Sequence, residues 1–218
     1  CVYDCAATDE AGRPQPKPLA TQHFVGTAEA SNRELKLVGD RRAYVSVAAE
    51  WLAWPCRRDR ESLTYAPGQP QELPHGRLNQ WLGLGIEARR GDVGPWRELL
   101  DHLFAGAEAR ARRWFERWCG WPLRHLGAKL MSAAVMWSAA TGQGKTLVGE
   151  TLGRVYGPNY VSVPQHVFDS DHNGWQVNRQ FVLVDDVSPH DTRTRADLLK
   201  KLVTQSHLLV NIKHVPEF

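Results

Sequence analysis

The chain has 218 residues, 42% hydrophobic and 23% charged, with a formal net charge of +3. That is enough apolar material for one sizeable core with a small satellite, and the mild basic excess is compatible with an acidic partner without requiring one. No apolar run approaches the roughly 18 residues of a membrane span, no secretory leader is visible, and Cys1, Cys5, Cys56 and Cys119 fit neither a disulfide framework nor paired zinc ligands. The expectation is a cytoplasmic protein with reduced thiols and no membrane partner.

Residues 11–18, "AGRPQPKP", read as a proline-rich linker. "RAYVSVAAEWLAW" reads as a short strand running into a helix, and "YAPGQPQELPHG" (Tyr65–Gly76) as an extended loop. From Arg97 the pattern turns helical. "WRELLDHLFAG" and "EARARRWFERWCGW" place apolar residues at three- and four-residue spacing, with stops expected at Gly106 and Gly120. Trp114, Trp118 and Trp121 fall on one face of the second helix, where core packing is expected ahead of a base-stacking role. Arginine clusters at 57, 58 and 60 and at 110, 112, 113 and 117 read as solvated faces. After Pro122, "KLMSAAVMWS" reads as a buried strand ending at Ser138, and "KTLVGETLGRVYG" as a helix stopped by Gly157-Pro158. The expected organisation is an N-terminal extension of unclear role over 1–61, a helical region over 62–122, and an α/β core with a parallel sheet over 123–218, so that the core is preceded by a mostly helical extension.

Between that strand and helix lies "SAATGQGKTLVG" (Ser138–Gly149). The phosphate-binding loop has the form G-x-x-x-x-G-K-[ST], here with Ala139 in the first glycine slot. Backbone N–H groups over Thr141, Gly142, Gln143 and Gly144 converge on phosphate oxygens, and the following helix adds its positive end. Lys145 is placed to neutralise β- and γ-phosphate charge, and Thr146 to set its hydroxyl on Mg²⁺. Ala139 lies furthest from the phosphates and asks only for a negative φ. ATP and Mg²⁺ are therefore the expected cofactors.

Farther on, "RQFVLVDDVS" contains a buried strand, Phe181–Val184, ending in Asp185-Asp186. In a parallel sheet beside the loop-feeding strand, Asp185 would join the Mg²⁺ shell and Asp186 would polarise attacking water. The bland alternative is a turn after a strand. "RTRADLLKKLVTQ" reads as an amphipathic helix with Leu198, Leu199, Leu202 and Val203 inward, and "LLVNIKHVPEF" as a strand turning at Lys213-His214. That tip is either a DNA-backbone contact or an ordinary exposed turn.

In this order the phosphate loop, "FVLVDD", "LLKKLVTQ" and "LLVNIKHVPEF" resemble superfamily 3 helicases, the hexameric AAA+ helicases of DNA viruses and phages, and within them the helicase domains of phage and prophage primase-helicases. Family-like elements also appear at Tyr65-Ala66-Pro67, at Asn79–Gly83 and at "HNGWQV" (His172–Val177), so the resemblance covers roughly 62–218. It implies a P-loop ATPase core that binds ATP-Mg through Gly142, Gly144, Lys145 and Thr146, with Asp185 and Asp186 as the acidic pair. It further implies a translocating hairpin tipped by Lys213 and His214, single-stranded or forked DNA as partner, and a homo-hexamer. The family's polar sensor and arginine finger would lie beyond Phe218, so a C-terminally truncated core is expected, with little turnover by itself. The alternatives are a nucleotide-binding initiator or remnant without turnover, and a small P-loop kinase.

Overall fold

The computed structural model describes residues 2–4, 17–19, 33–38, 41–57, 60–170, 172–185, 192–205 and 210. Asp186, Lys213 and His214 lie outside them. The described residues form a mixed α/β protein with small parallel sheets, divided into two compact units, residues 1–64 with 72–80 and residues 65–71 with 81–218.

In the first unit, β1 (Val2–Asp4) pairs antiparallel with β2 (Lys17–Leu19). The period-two runs "RELKLV" and "RRAYVS" form β3 (Arg33–Val38) and β4 (Arg41–Ser46), antiparallel from Arg33↔Ser46 to Val38↔Arg41. Ser46 then turns the chain into α1 (Val47–Ala53), its hydroxyl accepting the Ala49 N–H at 3.2 Å as a helix cap. β5 (Ser62–Thr64) lies parallel to β7 (Arg77–Asn79), and β6 (Glu72–Leu73) pairs antiparallel with β7. Of the mostly helical extension expected ahead of the core, the described residues before 62 instead hold four strands and one short helix, among them the strand and helix expected in "RAYVSVAAEWLAW".

The second unit is built around α2 (Gly94–Leu103), α3 (Ala109–Arg124) and α4 (Lys145–Tyr156). Leu100, Phe115, Cys119, Val148 and Leu152 form its first core, flanked by Trp96, Leu99, Phe104, Ala134, Met136 and Phe181. Gly106, at φ +81, follows α2 as expected. The stop expected at Gly120 is corrected. The helix runs on through Pro122, which forfeits only the bond its missing N–H would make to the Trp118 carbonyl. α3 ends where the His125 N–H meets the Trp121 carbonyl at 3.0 Å, and Gly127, at φ +83, supplies the left-handed turn. The tryptophans are also redistributed. Phe115 and Cys119 fill the core and Trp118 packs on it as expected, whereas Trp114 and Trp121 remain 48% and 53% exposed.

Residues 129–138, expected as a buried strand, belong to no sheet among the described residues. The segment is apolar on both sides but buries one. Ala134 and Met136 pack on the first core, while Val135 and Trp137 are 82% and 87% exposed. A strand needs a ladder partner as well as an apolar face, and the acidic strand is not that partner.

β8 (Tyr160–Pro164) and β9 (Phe181–Asp185) pair in parallel, from Tyr160↔Phe181 to Pro164↔Asp185. α4 covers one face at close range. A Cβ on Gly149 would stand 2.6 Å from Leu183 Cδ1, and one on Gly153 would stand 2.5 Å from the Tyr160 ring. Against the other face, Val161, Val163 and Phe168, the last from α5 (Gln165–Phe168), pack with Trp175, Val182 and Val184. Leu198, Leu199 and Leu202 of α6 (Thr192–Thr204) complete that layer, as the sequence pattern anticipates. Helix, sheet and helix thus make three layers.

Burial fixes how this unit responds to alkali. It raises the Cys119 thiol from 9.0 to about 12 and the Tyr156 phenol from 10.0 to about 12, and pushes Tyr65 up as well. Above pH 9 the unfolded chain loses these protons while the fold keeps them, so the stability these three groups contribute is fully present below pH 9 and declines from there towards pH 12. Each group contributes a slope of up to about 1.4 kcal/mol per pH unit. Urea midpoints measured from pH 8 to 11 are expected to fall first near pH 9, with Cys119→Ala delaying the onset by about one pH unit.

Candidate functional site

Where the chain leaves the 129–138 segment, Ser138 begins a loop held by its own side chains. The Ser138 hydroxyl donates to the Ala140 carbonyl at 2.7 Å, and the Gln143 amide donates to the Thr141 carbonyl at 3.2 Å. Gly142 and Gly144 adopt φ of +71 and +89, a region that side chains disfavour. Gly144 is constrained further, because a Cβ there would come within 2.9 Å of Leu99 Cδ1. Ala139 is exposed and is not among the positive-φ residues, so the alanine in the first glycine slot carries no backbone strain.

Gly144 is the residue at which α4 starts, and its carbonyl accepts the Val148 N–H at 3.2 Å. The first helical residue, Lys145, swings its ammonium back over the loop to donate to the Ser138 hydroxyl. The next, Thr146, is exposed, and its hydroxyl lies 3.1 and 3.2 Å from the two carboxylate oxygens of Asp185 at the end of β9. The loop, the first turn of α4 and the acidic strand end are therefore brought together. What joins them is the seating of α4 on the sheet through Gly149 and Gly153, and not the pairing of two adjacent strands.

At its far end α4 is clamped by the chain upstream. The Asn159 amide donates to the Tyr156 carbonyl at 2.8 Å and the Gly83 carbonyl at 2.6 Å, and its oxygen accepts from the Tyr65 hydroxyl at 2.7 Å. The Gly85 N–H reaches the Val155 carbonyl at 2.8 Å, and the Trp81 indole N–H reaches Gln180 at 3.1 Å. Gly85 and Gly157 touch so closely that a Cβ on Gly85 would stand 2.5 Å from the Gly157 Cα. The elements around Tyr65 and Trp81 thus brace the helix that carries the loop.

Sequence reasoning missed three of these parts: Ser138 as the partner of Lys145, Asn159 as the clamp, and the two glycines that seat α4. The last pair did leave a signal. "GETLG" puts Gly149 and Gly153 four apart, on one helix face.

Residues 136–218 match the model of a protein family described only as a family of unknown function, DUF5906. No curated protein matches the chain. Among solved structures, an apo structure of the NrS-1 C-terminal region is similar, with a TM-score of 0.61 and 18% identity over 83% of this chain and 47% of that one. An A-form apo structure of the same region gives a TM-score of 0.56 and 16% identity over 91% of this chain and 53% of that one. The chain spans about half the length of those structures, and at such identity the likeness is one of fold. Among the described residues no helix is long and apolar enough to cross a membrane.

Proposed function

We propose that the loop Ala139–Thr146 binds ATP with Mg²⁺, and that the chain is the P-loop ATPase part of a DNA helicase in the replication protein of a phage or related mobile element. The observation that carries this reading is the approach of Thr146 Oγ1 to both oxygens of Asp185, at the start of a helix preceded by two left-handed glycines. A hydroxyl and a carboxylate are hard oxygen donors of the kind Mg²⁺ takes alongside substrate phosphates, and those two residues would hold it. Bound there, Mg²⁺ supplies charge neutralisation on the β- and γ-phosphates.

The chain's own groups have separable tasks. Backbone N–H groups around Gly142 and Gly144 orient the phosphates, and positive φ lets them approach. Lys145 moves its ammonium from Ser138 to the phosphate oxygens, an exchange of a neutral hydroxyl for a charged acceptor. In this reading Asp186 orients the attacking water, Lys213 and His214 grip single-stranded DNA, and the working form is a homo-hexamer. The expected family elements at Tyr65–Pro67 and Asn79–Gly83 support it, as does the α/β fold shared with the NrS-1 C-terminal region.

The test is a titration of ATP with Mg²⁺ or with EDTA. Wild type is expected to bind about tenfold more tightly with Mg²⁺, a difference of about 1.4 kcal/mol. Thr146→Val is expected to erase that difference while keeping the Mg²⁺-free affinity. Equal Mg²⁺ dependence in both proteins would overturn the assignment of Thr146. Binding without single-stranded-DNA-stimulated turnover, persisting in a longer chain that extends beyond Phe218, would favour the non-hydrolysing initiator.

A further inference from the structure

Helix α3 faces its core with Phe115 and Cys119 and turns an unusual surface outward. Residues 110, 113, 114, 117, 118, 121, 124 and 125 repeat at three and four and so share one face. That face holds only arginine, tryptophan and one histidine. Trp114 and Trp118 stack with ring centres 6.3 Å apart, and Trp121 lies against His125 at 4.0 Å. Trp118 itself packs on the core, stacked on Phe115 at 6.0 Å with its indole N–H donated to the Ser132 carbonyl at 3.4 Å, which leaves Trp114 and Trp121 as the open indole surfaces. The acids near the helix are taken up by Arg112 and by Arg110 at the end of the face. Glu116 and Asp101 pair with Arg112, and Glu108 with Arg110. Arg113, Arg117 and Arg124 are exposed, and no ion pair to them is found among the described residues.

Large exposed aromatic rings cost solubility, and a row of uncompensated arginines repels a second positive surface. A copy of this same face is therefore a poor occupant, although a purely apolar stripe would suit one. A single strand of nucleic acid satisfies both rows at once, with bases stacking on indoles and phosphates against guanidinium groups. The face offers no carboxylate or amide to accept a ribose 2′-hydroxyl, which favours DNA. We propose that the outer face of α3 is a binding site for single-stranded DNA, separate from the loop at Lys145 and from Lys213 and His214. This inference does not rest on nucleotide binding.

The experiment is anisotropy of a labelled twenty-nucleotide thymidine oligomer titrated with the whole chain, without nucleotide. Trp114→Ala with Trp121→Ala is expected to weaken binding tenfold or more, and Trp114→Phe with Trp121→Phe to recover most of it, because the phenyl ring keeps a stacking face. Arg113→Gln with Arg117→Gln is expected to lower the slope of log affinity against log salt by about 1.4, at about 0.7 per lost phosphate contact. Lys145→Ala is expected to bind the oligomer as wild type does. Wild-type affinity in the tryptophan pair would overturn the site, as would tenfold preference for a uridine oligomer. Sedimentation showing a dimer that Trp121→Ala dissolves, with oligomer binding unchanged, would assign the face to a second copy instead.

Discussion

Lys145→Ala is expected to lower the affinity for ATP-Mg by about a hundredfold, close to 3 kcal/mol, without changing the thermal midpoint by more than a degree or two. The magnitude follows from what the ammonium leaves and what it reaches. In the structure it donates to one neutral hydroxyl, that of Ser138. On a triphosphate it would make two charge-assisted bonds, each worth about 1.5–3 kcal/mol, less the neutral bond it gives up. The side chain is only half-buried and packs in neither core, so its removal leaves the fold intact. Isothermal titration checks the first number and a melting curve the second. A loss below fivefold would mean that Lys145 does not reach the phosphates. Ser138→Ala provides a separate reading, because it frees the ammonium in the ligand-free state and is expected to leave affinity equal or slightly improved.

The second large effect concerns the seat of α4. Gly153→Ala is expected to destabilise the protein by about 2 kcal/mol, against the ordinary gain of about 1 kcal/mol for replacing a mid-helix glycine. The Tyr160 ring occupies the place of the new methyl at 2.5 Å and cannot withdraw. It stacks on Phe181 at 5.6 Å, its hydroxyl donates to Glu150 at 3.1 Å, and Tyr156 flanks the same phenylalanine at 5.3 Å. Gly120→Ala in α3 is the matched control, since a Cβ there meets nothing within 4 Å and should stabilise. Melting curves of the two variants are expected to move in opposite directions, Gly153→Ala down by several degrees. Because α4 also carries Thr146 to Asp185, Gly153→Ala should weaken Mg²⁺-dependent binding too.

The geometry of the loop and the position of Asp185 at its strand end were legible because both are set locally. Left-handed glycines, a following Lys-Thr and a helix stop at Gly157-Pro158 are all written within a few residues of the turns they shape. The inner leucines of α6 were legible for the same reason, through their helical spacing. The ladder was not. "KLMSAAVMWS" has the composition of a strand, but composition names no partner, and β9 pairs instead with β8. Of the tryptophans of α3, Trp118 packs on the core as expected, while Trp114 and Trp121 misled for a related reason. Periodicity identifies a shared face without saying which way it points, and here the smaller Phe115 and Cys119 took the interior. β4 was legible in "RAYVSVAAEWLAW", whereas its partner β3 was hidden because pairing over such a length is decided by tertiary contact.

The clamp on α4 also bears on how the chain is made. Tyr65 meets Asn159 across 94 residues, and Trp81 meets Gln180 across 99. At a synthesis rate of about 5–20 residues per second, Tyr65 and Trp81 wait roughly 5–20 s for partners that have yet to be made. The second unit therefore cannot close as it emerges, and its formation is governed by long-range loop closure more than by helix formation.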